Sequence, residues 1–348
     1  VSARAPASGR VRKRLRELVM AKKLHVVILV PEMREIAPDD DLATLSTGHE
    51  VAEHYAELGH KTSIEHFEFD PETFKAVMQK AKPDCVFNLV ESVYARSRLT
   101  NLPPVYLEEL RLPYTGNDSS AMFTTNDKVL AKSILRMLDL PSPNLFVRGG
   151  RPKRGKWIVK ARHEHASFGI TQENVVEGSD TACTLADRLT REHEIEWIIE
   201  SFVDGREFNV SIIETRDGPR VLPVAEIQFQ DYADGMHKIV DYKAKWDNDS
   251  FESLHTVRSY DHPSRDKRTV EAMKDISLEV WNGFGMGGWG RLDFRVDADG
   301  KPWIVDINAN PDPSLDAGFM AAAQQAGISP ARAVDHITDA AFRAAAQR

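Results

Sequence analysis

Trp289-Gly290-Arg291-Leu292-Asp293-Phe294-Arg295-Val296, then Asp297-Ala298-Asp299-Gly300, then Trp303-Ile304-Val305-Asp306-Ile307-Asn308 is the stretch on which the fold turns. Two apolar-rich runs joined through an Asp-Gly turn signal predict an antiparallel strand pair. Side chains two apart in a strand point the same way, so Arg291 and Asp293 share one face, as do Asp306 and Asn308. Two carboxylates and an amide oxygen on one face suit a hard cation such as magnesium, bridged by a triphosphate. A neighbouring guanidinium would neutralise charge on a transferring phosphoryl group. The same four residues read equally well as a satisfied Arg291–Asp293 ion pair and a chain turn at Asn308.

Upstream, residues 206–214 and 219–228 read as further strands, with Asp217-Gly218 as a turn between them and Asp204-Gly205 as a turn ahead of the first. A long helix at 264–284 precedes the decisive hairpin, and helices close the chain from Ala317 onward. Before these lies a mixed section. It has a helix at 126–140 ended by Pro141 and Pro143, strands at 144–147 and Lys156–Ala161, a loop at 162–169, a helix at 180–193 and an apolar strand at 194–202. The first section alternates: strands at 24–31, 61–67, 84–90 and 113–116 are separated by helices at 43–58, Pro71–Ala81 and 102–110. Strands separated by single helices predict a parallel sheet covered on both faces. The fold class is α/β, divided into a basic tail at 1–23, a parallel-sheet domain at 24–118, a central α+β subdomain at 119–202 and a C-terminal α+β subdomain at 203–348.

Composition sets limits on function. The chain has 348 residues, 42% hydrophobic and 28% charged, enough for two or three packed lobes. A net charge of −8 argues against nucleic acid or an anionic membrane as partner. The apolar run Val26 to Val30 is far too short to cross a bilayer. Cys85 and Cys183 form no disulfide framework, which places the chain in a reducing cytoplasm. Arg4, Arg10, Arg12, Lys13, Arg14, Arg16, Lys22 and Lys23 make the first 23 residues basic; without a signal-peptide core behind them they read as a solvated tail.

Three lysines stand apart from ordinary solvated ones. Lys128 opens a helix, Lys245 follows Tyr242-Lys243-Ala244, and Lys160 ends Trp157-Ile158-Val159 at the mouth of a buried strand. A lysine there requires an anionic partner, and phosphate is a natural one. Arg162-His163-Glu164-His165-Ala166-Ser167-Phe168-Gly169 follows directly, and its backbone amides could close over phosphates, although it is no P-loop. His163 and His165 lack the spacing of four that a helical zinc site wants. Glu200-Ser201-Phe202-Val203, ahead of Asp204-Gly205-Arg206-Glu207, could read an adenine with its backbone edge and a ribose with Glu207, or could be a plain hairpin with exposed acids.

Taken in order, these segments resemble the D-alanine–D-alanine ligase branch of the ATP-grasp family over residues 24–345. The resemblance runs through Leu112-Pro113-Tyr114-Thr115-Gly116, Asp127-Lys128, Lys132, Val159-Lys160, Ser167-Phe168-Gly169 and Glu200 to Glu207. It continues at Asp241-Tyr242-Lys243-Ala244-Lys245, Gly288 to Asp293, and Asp306-Ile307-Asn308-Ala309-Asn310-Pro311. It implies an ATP-grasp fold with an N-terminal Rossmann-like lobe, a central lobe and a C-terminal catalytic lobe. It implies a carboxylate–amine ligase that works through an acyl-phosphate and gives ADP and phosphate. Lys128 and Lys160 would contact the phosphates of ATP, Ser167 would lie in the phosphate-covering loop, and Lys245 would approach the γ-phosphate as its segment closes. Glu200 with the backbone at Phe202 and Val203 would hold adenine, and Glu207 the ribose. Asp293, Asp306 and Asn308 would bind two Mg2+ ions, with Mn2+ as a substitute, and Arg291 would stabilise the acyl-phosphate and the later tetrahedral intermediate. The partners would be small amino-acid-like carboxylates and amines, without nucleic acid or membrane, in an assembly compatible with a homodimer.

The departures fall on the substrate side. Asp306 stands where the family has glutamate, Ala166 replaces the serine that organises the first substrate, and residues 90–96 replace a His-Gly…Gly-Glu-Asp-Gly segment. Asp312-Pro313-Ser314-Leu315-Asp316-Ala317 replaces Gly-Met-Thr-x-x-Ser. Glu91, Arg96, Asn310, Asp312 and Asp316 are therefore the candidate substrate contacts, and two acids beyond Pro311 predict a positively charged acceptor. The competing expectations are an ATP-binding protein whose activity is lost or regulatory, and an ATP-dependent carboxylate kinase.

Overall fold

A computed structural model describes residues 23–32 and 39–348, so the basic tail lies outside the described residues except for Lys23. The first lobe is a parallel sheet of β1 (His25–Val30), β2 (Lys61–His66) and β3 (Cys85–Asn88) in the order β2-β1-β3. Its central strand is apolar from Val26 to Val30 because both faces are covered. Val26, Ile28 and Val30 pack against Val51 and Tyr55 of α1 (Asp39–Glu57). Val27 and Leu29 pack against Phe74 and Met78 of α2 (Pro71–Ala81) and Leu107 of α3 (Leu102–Glu109). Asp70 caps α2 by accepting from the Thr73 amide at 2.8 Å, worth about 1 kcal/mol for such a cap. The strand expected at 113–116 reduces to one parallel bridge between Val86 and Tyr114.

The helix expected at 126–140 is α5 (Lys128–Met137), and a further helix, α4 (Ser119–Asn126), precedes it. Asp127 separates them: its backbone is extended, and its Oδ1 accepts from the amides of Val129 and Leu130 at 3.0 and 3.3 Å. An aspartate that bonds its own downstream amides starts a helix rather than continuing one. The central sheet pairs β4 (Lys156–Ala161) antiparallel with β5 (Val175–Glu177) and β6 (Trp197–Ser201). Trp157, Val159 and Ala161 pack on Ala182, Leu185, Ala186 and Leu189 of α6 (Ser179–His193). Alternation then turns Ile158 and Lys160 to the opposite face, which lines a cleft.

The third lobe is an antiparallel sheet ordered β10-β9-β7-β11-β12, with β8 also paired to β7. Its strands are β7 (Arg206–Thr215), β8 (Gly218–Val221), β9 (Ala225–Phe229), β10 (Thr256–Ser259), β11 (Trp289–Val296) and β12 (Pro302–Asn308). The strand expected at 219–228 is split into β8 and β9 around Pro223, which has no amide hydrogen for the ladder. Short helices α7 (Tyr242–Trp246) and α8 (Phe251–Leu254) precede β10, and α9 (Lys267–Gly283) covers the outer face. Helices α10 (Gly318–Gln325) and α11 (Pro330–Ala345) return to the first lobe, joining Trp289, Phe319 and Ile337 to the core around β1.

Asn117 holds the lobes together. Its amide nitrogen donates to the carbonyls of Trp289 and Ala309 at 2.9 and 2.6 Å, and its oxygen accepts from the Gly287 amide at 2.8 Å. Gly288 adopts φ +69°, and a Cβ there would lie 3.0 Å from the backbone of Gly116, so the close approach requires glycine. Both cysteines are free. No helix among the described residues is long and apolar enough to cross a membrane.

Candidate active site

The cleft between the central and third lobes has a volume of about 710 Å³. Its floor is the decisive hairpin. Register sets Arg291 opposite Asn308 and Asp293 opposite Asp306, with a bulge after Asp293, so all four side chains belong to one surface. Arg291 grips Asp293 with two hydrogen bonds, Nε to Oδ1 at 2.8 Å and Nη2 to Oδ2 at 2.9 Å. Asn308 Oδ1 accepts from the Asn310 amide at 2.9 Å. The ion pair and the chain turn are thus both present, and all four residues nonetheless line the cleft.

Asp306 faces cations. Its Oδ1 lies 4.0 Å from Lys128 Nζ and its Oδ2 3.5 Å from His165 Nδ1. Burial would push the carboxyl up, but Lys128 and His165 outweigh it and hold the group well below the usual carboxylate range. Lys128 also donates to the Glu164 carbonyl at 2.7 Å. Burial lowers its ammonium pKa against the pull of Asp306. Lys160 Nζ donates to the Val305 carbonyl at 2.8 Å and pairs with Glu200 Oε1 at 2.7 Å.

The loop 162–169 and the segment carrying Lys245 are clasped together. Trp246 Nε1 donates to the Ala166 carbonyl at 3.0 Å, Ser167 Oγ to the Val240 carbonyl at 2.8 Å, and the Tyr242 amide to the Ile170 carbonyl at 2.9 Å. Ala166 and Ser167 both take left-handed backbone conformations, φ 58° and 60°. Lys245 lines the cleft from α7, with its Nζ 5.2 Å from the Trp246 ring centroid.

At the other end, Glu200, Phe202, Val203 and Glu207 line the same cleft. Arg295, paired across the ladder with Glu207, organises this hinge. It donates to the carbonyls of Val203 at 2.6 Å, Gly205 at 2.8 Å and Lys238 at 2.8 Å, and to Glu207 Oε2 at 3.0 Å. Burial pushes the Glu207 carboxyl up to about 7 despite Arg295. A glutamate poised there accepts or donates a hydrogen bond at little cost.

The substrate candidates separate. Glu91, Asp312 and Asp316 line the cleft; Arg96 is exposed and lies outside its lining. Asn310 is buried in a small adjoining recess with Glu91, Asn126 and His165. Asp312 is not the cap of the following helix, whose N-cap position is Ala317. It accepts from Thr47 Oγ1 at 3.3 Å and from the Ser314 amide and hydroxyl, both at 2.9 Å. Asp316 Oδ1 accepts from the same hydroxyl at 3.0 Å.

Four residues absent from the sequence-based site belong to it. Asn209, opposite Asp293 on β7, donates to Asp293 Oδ1 at 2.8 Å. Arg295 fixes the hinge, Arg258 lines the cleft from β10, and His165 faces Asp306 rather than pairing with His163, which turns to Asp127 at 3.7 Å. Alternation marks Asn209, between Phe208 and Val210, as a polar residue of a half-buried strand, but not as a partner of Asp293.

The donor set fits a hard divalent ion. Asp293, Asp306 and Asn308 offer only oxygens. Among the described residues no three His, Cys, Asp or Glu side chains converge to hold a metal alone, so a bound ion would need further oxygens, such as those of phosphate, to complete its shell. Enzymes that bring a cation to a nucleotide usually supply one or two carboxylates in this way.

Three lobes around a cleft floored by this hairpin define an ATP-grasp protein. Solved structures agree: a Bacillus anthracis D-alanine–D-alanine ligase complexed with ATP superposes at TM-score 0.71 and 16% identity, covering 93% of this chain and 99% of that one. D-alanyl-alanine synthetase A of Vibrio cholerae gives 0.71 at 14% identity, covering 92% and 99%. Residues 156–339 match the family model described as D-ala D-ala ligase C-terminus. A D-alanine–D-alanine ligase of Bordetella petrii is 30% identical over 251 residues, 68% of this chain and 71% of that protein. An uncharacterized protein of Sinorhizobium fredii is 27% identical over 270 residues, 74% of each. The chain belongs to the D-alanine–D-alanine ligase family. It is an ATP-dependent, ADP-forming ligase that joins a carboxylate to an amine, in a family that uses ATP and Mg2+ on amino-acid-like substrates.

Proposed function

We propose that this enzyme joins two amino-acid-sized substrates into an amide, with an α-amino acid bearing a free carboxylate as acceptor. The observation that carries the first part is the opposed Arg291/Asn308 and Asp293/Asp306 pairs facing Lys128 and Lys160 across one cleft. Lys128 and Lys160 draw the phosphates into that cleft, the backbone at Phe202 and Val203 with Glu200 receives adenine, and Glu207 receives the ribose. Lys245 reaches the γ-phosphate from α7, and Ser167 belongs to the loop that covers it. Asp293, Asp306 and Asn308 would hold two Mg2+ ions, or Mn2+ in their place, which neutralise charge on the β- and γ-phosphates. The donor carboxylate oxygen bonds to the γ-phosphorus as the bond to the β-bridging oxygen breaks, leaving ADP and an acyl-phosphate. The acceptor amine then attacks the acyl carbon. Arg291 stabilises the resulting oxyanion, and orthophosphate leaves as the amide forms.

The acceptor reading revises the expectation of a basic substrate. Asp312 accepts from Thr47 and Ser314, and Asp316 shares the Ser314 hydroxyl, whereas Arg258 and Arg291 converge on Gly318, each with a guanidinium nitrogen 3.8 Å from where its Cβ would be. Among the described residues Arg258 donates only long bonds, 3.3 and 3.4 Å, to the Asp316 carbonyl. A guanidinium so weakly engaged suits a carboxylate. Screening amino-acid pairs for ATP-dependent orthophosphate release, each acceptor beside its carboxamide, tests both parts. Release with free amino acids but not carboxamides supports the reading; a preference for basic or carboxamide acceptors contradicts it.

A further inference from the structure

Glu200 is 2% exposed, and two ammonium groups compensate its charge: Lys160 on Oε1 and Lys132 on Oε2, both at 2.7 Å. The two lysines are not equivalent. Lys160 has a second partner, the Val305 carbonyl, and lines the cleft. Lys132 is 4% exposed on the buried face of α5, one turn beyond Lys128, and does not line the cleft. Among the described residues its Nζ and Glu200 Oε2 have no hydrogen-bonding partner apart from their mutual contact. Burial alone would push the Glu200 carboxyl up, but Lys132 and Lys160 together hold it below the usual range.

We propose that Lys132 is the fixed counter-ion of Glu200 and thereby sets the nucleotide base selectivity, while Lys160 leaves Glu200 for phosphate when nucleotide binds. This rests on the reading that Glu200 faces adenine. A buried carboxylate with no cation takes up a proton. Ionised, Glu200 can only accept, and so selects a base with a 6-amino group; protonated, it gains an O–H donor and admits a 6-oxo base. Once Lys160 has moved to phosphate, Lys132 is the group that keeps Glu200 ionised. Lys132 is thus a positioning residue, one that touches no part of the nucleotide.

Calorimetry without carboxylate or amine substrates tests this apart from turnover. The probes are ATP, inosine triphosphate and inorganic tripolyphosphate. The parent should prefer ATP over inosine triphosphate at least tenfold. Lys132→Gln should bring that ratio close to one while leaving tripolyphosphate affinity within twofold, and Lys132→Arg should retain the parent ratio. A folded Lys132→Gln variant that keeps the parent's preference overturns the proposal. Should that variant not fold, a folded Lys132→Arg variant that loses the preference overturns it equally. A parent that binds both nucleotides alike removes its premise, the placement of Glu200 against the base, and leaves the ligase reading standing.

Discussion

The proposed nucleotide and acceptor ends of the cleft are built differently. At the nucleotide end, Lys160, Glu200, Glu207, Asp293 and Asp306 stand on strands, and each meets a partner that register or an adjoining helix supplies. At the acceptor end, Glu91, Asp312 and Asp316 stand on connecting segments, and Arg258 on the edge strand β10. Asp312 and Asp316 are tied through Ser314, and Leu315 is held by Glu50 through its amide at 3.1 Å. A charge fixed by a ladder cannot be moved without breaking the sheet, whereas a loop can exchange side chains and keep its fold. The departures from the family pattern lie in residues 90–96 and 312–317, at the proposed acceptor end, and also at Ala166 and Asp306.

The largest effect is expected at the floor. Asp306→Asn should lower turnover by roughly 10²–10³-fold, the scale for losing one charge-stabilising group in an active site. Thermal unfolding should also move to lower temperature, because the Asp306 carboxylate is held below its ordinary range by Lys128 and His165 and its loss leaves buried Lys128 without that charge. Near-native phosphate release at limiting magnesium would break the contrast between the two ends. Next comes Lys160→Ala, which removes a charge-assisted contact and should weaken ATP binding about 10–100-fold, on the scale of 1.5–3 kcal/mol. Calorimetry would read this, and unchanged affinity would count against it.

How much of this could be seen in the sequence follows the same division. Strands β4 and β11 are legible to the residue, because apolar alternation and the flanking turns set their limits. Strands β5 and β10 are only three and four residues long, too short for an alternating pattern to mark them. The split at Pro223 is a local signal that periodicity overrode. In the site, residues carried on a single strand were readable, while Asn209 and Arg295 were not. Their roles depend on standing opposite Asp293 and Glu207, and no single segment states a register.

The smallest effects are expected at the acceptor end, where they sharpen the contrast. Arg258→Gln should raise the acceptor KM about tenfold for free amino acids, the scale of one exposed charge-assisted bond, and leave ATP affinity alone. Asp312→Asn keeps its acceptor oxygen, so it should cost only about 0.5–1 kcal/mol of stability and alter all acceptors alike. If Asp312→Asn instead impaired only basic acceptors, the revised reading of that end would be wrong.

The central claim is that an intact nucleotide end drives ligation through an acyl-phosphate, and nucleotide product analysis tests it most directly. With a productive pair of amino acids, ADP, orthophosphate and amide should appear in equal amounts, each requiring both substrates. Formation of AMP and pyrophosphate would contradict the account.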